Sequence, residues 1–100
     1  MIVISGILEV AGHSADAFAD LCRPLVEETR REPGCADYRF ARSIDNSAVF
    51  EIFEEFADQE AMDHHVRADH YRSWSRALRD FEVISMSINR YDVTERTVLQ

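Results

Sequence analysis

The chain contains no lysine. All eleven of its basic residues are arginines, set against nineteen acidic ones, for a formal charge of -8. Such a surface does not track nucleic-acid phosphates or anionic lipid, so neither a nucleic-acid nor a membrane partner is expected. Two cysteines, Cys22 and Cys35, are too few for a disulfide framework and lack the paired spacing of a zinc site. Reduced thiols in a cytoplasmic protein are the expectation. With three glycines and two prolines there is no glycine-rich phosphate loop, and neither a nucleophile elbow nor a CxxC pair occurs. Nucleotide cofactors held by familiar loops, and serine- or thiol-based hydrolysis, fall out of the first rank. No apolar run is long enough to cross a bilayer: the start, MIVISGILEV, is short, lacks a basic leader and carries no small-residue cleavage signal.

What remains is 100 residues with a 46% hydrophobic share. That is the size of one domain, residues 1–100, burying roughly 60–65% of the surface its unfolded chain exposes. Residues 1–10 alternate with period two and read as a first strand, apolar on both faces. After Gly12, Ser14 is placed to cap a helix whose Phe18, Leu21, Cys22, Leu25, Val26 and Thr29 recur at three and four residues, with Pro24 expected to kink it. The EPG of residues 32–34 stops that helix. CADYRFARS and AVFEIFEEF follow, separated by the turn signal DNS, as an antiparallel hairpin. Asp58 caps a second helix, a break is expected at Ala68 or Asp69, and residues 70–81 resume the helical spacing. VISMSINRYDV is the last strand.

The order β α β β α(α) β is the split βαβ arrangement: an α+β, ferredoxin-like fold with a four-stranded antiparallel sheet and its helices on one face. Strands apolar on both faces need a second cover. A second copy of the same sheet is the simplest, which predicts a homodimer.

Three of the four histidines lie in EFADQEAMDHHVRADHYRSW, residues 55–74. Advancing about 100° per residue from Asp58 places His65 between Ala61 and Met62 on the inward helix face and His64 on the polar flank. His70, past the break, leads into the stripe Tyr71, Trp74, Leu78. His65 and His70 are thus expected to look into one apolar cavity from either side of a helix junction. Glu55 is the carboxylate at hand, and Tyr71 and Trp74 are either ligand-stacking rings or core filling. A metal needs three or four converging ligands, and HH-x4-H matches none of the usual three- or four-residue helix pairs, so no metal is expected.

The spacing EPGC-x2-Y at residues 32–38, followed by F-x-I-F-E-E-F-A-D-Q-E-A-M-x2-H-x4-HY at residues 50–71, resembles the antibiotic biosynthesis monooxygenase family over nearly the whole chain. In that family the third strand ends in Glu and an aromatic, here Glu55 and Phe56, and a helix follows with Ala61 and His65. His70 falls at a second common histidine. The resemblance implies a dimeric α+β barrel and cofactor-free oxygenation of an electron-rich aromatic, a quinol or anthrone, with molecular oxygen. His65 or His70 is then the base, and Glu55, Phe56, Tyr71 and Trp74 bind the substrate. The haem-degrading branch carries an Asn on strand one, and a Trp and a His where this chain has His65 and Ser75, so its activity is not expected. A non-catalytic dimeric binding protein and an isomerase of a small oxygenated metabolite are the alternatives.

Overall fold

The computed structural model describes residues 1–100. β1 (Ile2–Val10) leads through a 3₁₀ turn at Gly12–Ser14 into α1 (Ala15–Thr29). β2 (Cys35–Arg42) and β3 (Val49–Phe56) form the expected hairpin, α2 (Gln59–Arg67) and α3 (Asp69–Leu78) follow, and β4 (Val83–Asp92) closes the order. The strands lie β2-β3-β1-β4, every neighbouring pair antiparallel. This is the ferredoxin-like α+β fold. No helix is long and apolar enough to cross a membrane.

Period-two alternation decides which side chains meet the helices. Leu8 and Val10 of β1, Tyr38 of β2, and Phe50, Ile52 and Phe56 of β3 form one core with Phe18, Cys22 and Leu25 of α1 and Trp74 of α3. Phe18 sits at its centre, edge-on to Phe50 at 4.8 Å and to Phe81 at 5.4 Å. α1 runs unbroken through the exposed Pro24. Both cysteines are free, and Cys22 accepts a hydrogen bond from Trp74 Nε1 at 3.3 Å.

Three local expectations are corrected. Ser14 occupies the N-cap position of α1, but its side chain caps nothing, because the 3₁₀ turn ahead of it already organises the helix entry. Helical spacing beyond Leu78 does not continue to Phe81: α3 ends at Leu78 and residues 79–82 turn into β4. Gly34 has no positive φ, so the turn does not need its conformational freedom. A Cβ there would lie 2.2 Å from the Cβ of Ala61, so glycine is needed for close approach, letting α2 seat against the loop after α1.

Asp58 caps α2 as expected, its carboxylate accepting from Ala61 N at 2.9 Å. Ala68, extended at φ -68° and ψ 147°, is the break between α2 and α3. β4, the edge strand, is exposed along its whole length, including Ile84, Met86 and Ile88.

Candidate functional site

The apolar stripe of α1 runs Phe18, Cys22, Leu25, Thr29, at alternating steps of four and three. One further step of three lands on Glu32, beyond the helix end but still in register with its buried face. The carboxylate is carried inward: Glu32 is 8% exposed. From the other side, α2 presents His65 and the first turn of α3 presents His70. His65 Nδ1 lies 3.0 Å and His70 Nε2 2.5 Å from the same oxygen, Glu32 Oε2. His64 Nδ1 stands 3.7 Å from Oε1. The Ala68 break makes this convergence possible, since an unbroken helix would send residues 65 and 70 to different faces.

The surroundings are aromatic. His65, 2% exposed, is ringed by Tyr38, Phe56 and Tyr71 at centroid distances of 5.2, 5.1 and 5.0 Å. Trp74 lies one ring further out, 6.1 Å from Tyr71. Burial in this enclosure holds the His65 imidazole below its usual pKa, while its hydrogen bond to Glu32 pulls the other way. Burial pushes the Tyr38 and Tyr71 phenols up. Each histidine can donate one N–H to the shared carboxylate while neutral, which leaves His65 Nε2 as a lone pair.

Four of the six residues expected at the site come together, His65 and His70 on Glu32 and Phe56 and Tyr71 around the His65 ring. Trp74 borders them. Glu55 does not join, because strand alternation sends it to the opposite sheet face, where Arg96 is 3.7 Å away. The carboxyl group of β3 on the helix side is Glu54, paired in register with Tyr38 and pushed up to about 7 by burial and by the charge of Glu32. His65 and His70 line neither of two sizeable hollows. One, about 430 Å³, lies between α1 and the β2–β3 hairpin with Phe40 and Phe50 among its walls. A second, about 330 Å³, adjoins the cluster through Pro33, Gly34 and His64.

Glu32 is what sequence reading missed. Beside proline, after a helix, it passes for a stop signal with a solvated side chain, and only the continued four-three register hints that it is buried.

A family model described as antibiotic biosynthesis monooxygenase matches residues 1–77. Among curated proteins, the uncharacterised Synechocystis protein sll1783 is 26% identical over 98% of this chain and 67% of its own length. YcnE of Bacillus subtilis, named as a candidate monooxygenase, is 22% identical over 95% of this chain and all of its own. A conserved protein from Methanosarcina mazei superposes with a TM-score of 0.81 at 30% identity, covering 90% of this chain and 89% of that one. A candidate antibiotic biosynthesis monooxygenase from Deinococcus radiodurans reaches 0.89 at 23% identity, covering 100% and 99%.

Proposed function

The chain belongs to the antibiotic biosynthesis monooxygenase family, and on that footing we propose that it is a cytoplasmic monooxygenase of a small electron-rich aromatic, quinol- or anthrone-like, using molecular oxygen. The convergence of His65 and His70 on the buried carboxylate of Glu32 carries the reading. A phenol or anthrone gives up a proton to His65 Nε2, the nitrogen not engaged by Glu32. The imidazolium so formed is stabilised by the carboxylate beneath it. The substrate anion is itself the reductant: it passes electrons to oxygen, one oxygen atom enters the ring and the other leaves as water. The enclosure of Phe56, Tyr71 and Trp74 supplies a flat, dry surface for the ring. His70, one-fifth exposed at its side chain, links the carboxylate to solvent for the return of the proton.

The test is oxygen uptake by metal-stripped protein across a panel of quinols and anthrones. Uptake is expected in the native protein and a loss of about 100-fold in His65→Ala, which remains folded. A native protein that consumes no oxygen with any of them sinks the proposal. The burial of His65, which lines neither hollow, favours one second reading, a non-catalytic binding protein. In that case the panel binds without uptake.

We also propose a homodimer. β4 leaves Met86 and Ile88 more than two-fifths exposed beside the core, and Ile7 and Tyr91 exposed on the other face, an apolar area that a second copy covers. Light scattering is expected to return twice the chain mass; a single-chain mass at micromolar concentration overturns this.

A further inference from the structure

We propose that Glu32, His65 and His70 form a binding site for a divalent first-row transition-metal ion of the zinc type, with His64 at its rim. This goes beyond the oxygenase reading and does not depend on it. A carboxylate oxygen of Glu32 and one ring nitrogen from each of His65 and His70 all lie within 4.8 Å of one another. Two imidazoles and one carboxylate suit zinc, iron, cobalt and nickel, and are a poor set for magnesium or calcium. HH-x4-H carries no such signal on its own, because the third ligand arrives from 33 residues upstream and the two histidines face each other only across the Ala68 break.

Unsatisfied polarity points to an ion. Glu32, its side chain 5% exposed, meets no arginine; its only charge partners are His64, His65 and His70. A buried carboxylate without a permanent cation is costly. In the whole chain three buried side-chain polar atoms have no hydrogen-bond partner, and two belong to this cluster: Glu32 Oε1 and His65 Nε2. An ion on His65 Nδ1 moves the ring proton to Nε2. The orphaned lone pair becomes an N–H donor inside the enclosure of Tyr38, Phe56 and Tyr71, whose ring faces accept weakly. His64 Nδ1, 3.7 Å from Oε1, is the side chain within reach of the fourth side of the coordination shell.

The adjustment required is small. Metal–ligand bonds of about 2.0–2.1 Å around a tetrahedral ion set ligands about 3.4 Å apart, so the 2.5 Å gap between Oε2 and His70 Nε2 opens by about 0.9 Å. His70 is partly exposed on the first turn of α3 and is free to give that distance. An approach exists as well: the hollow beside the cluster is lined by Asp58, Glu60 and His64, an acidic mouth on a chain of net charge -8. Loading leaves His65 Nε2 protonated, so the loaded form has no base at that nitrogen.

Chelator-stripped, full-length protein is titrated with Zn²⁺, Co²⁺ and Mg²⁺, followed by calorimetry, thermal unfolding and, for Co²⁺, visible absorption. One equivalent of Zn²⁺ per chain with a raised melting temperature, visible Co²⁺ bands of a low-coordinate nitrogen-containing site and no response to Mg²⁺ are expected. His70→Ala, at a partly exposed position that tolerates truncation, lowers affinity by roughly 100-fold. His13→Ala, which removes the one histidine outside the cluster, leaves it unchanged. Absence of binding at equimolar Zn²⁺, binding that survives His70→Ala, or binding lost with His13→Ala each overturns the proposal. None of these readouts uses oxygen uptake, so failure here and failure of the oxygenase reading are separate results.

Discussion

Glu32→Gln is expected to lower oxygen uptake by about 100- to 1,000-fold while the melting temperature stays within roughly 4–8 °C of native. Glutamine fills the same volume and its carbonyl still accepts one imidazole N–H, so packing around His65 survives. The full negative charge is lost. Proton abstraction makes an imidazolium in an enclosure walled by Tyr38, Phe56 and Tyr71, and the buried carboxylate is the anion that compensates it. A pH profile separates this role from simple positioning. Burial lowers the pKa of His65 from 6.5, so the neutral, proton-accepting form prevails above that value and uptake falls only as pH drops below it. The Glu32 charge raises the same pKa, so its removal moves the acid limb of the profile further down. A variant that loses rate with an unshifted acid limb would show that Glu32 only positions the ring.

Gly6→Ala is expected to cost about 3 kcal/mol, a fall in melting temperature of roughly 12–24 °C. Gly6 lies mid-strand in β1, opposite Ile52 of β3 and Ile88 of β4. A Cβ there would stand 2.1 Å from Ser87 O and 2.7 Å from Ile88 Cα. These are backbone atoms of a paired strand, so no rotamer change makes room: β4 has to move off β1 or the ladder has to break. Circular dichroism melting of the variant decides it, and a native melting temperature would mean that β4 has slack to yield. By contrast Gly12 has nothing within 4 Å of an added Cβ, and Gly12→Ala serves as the matched control.

Elements with an undivided periodicity were legible before any coordinates. The two-residue alternation of β1, β3 and β4, the three- and four-residue recurrence in α1, and the Asp58 cap each depend on neighbours in the chain, and their order specifies the ferredoxin-like arrangement. The inward turn of His65 was legible for the same reason, as were His70 and Tyr71 beside the break, whereas Phe56, on the strand before the helix, entered the site only through the family resemblance. Glu55 was misplaced because the family pattern of a carboxylate before an aromatic was followed over the alternation of β3, which puts Glu54, not Glu55, on the face of Phe50, Ile52 and Phe56.

Local pattern thus determined the elements, their order and which histidine turns inward, because periodicity is a property of consecutive residues. Tertiary structure alone decided that a carboxylate from a helix-stop motif is drawn into the core, 33 residues from the histidine it holds. It also decided that glycine at position 34 serves contact rather than conformation. Both depend on where α2 and the loop after α1 come to rest against one another, a distance that no spacing along the chain encodes.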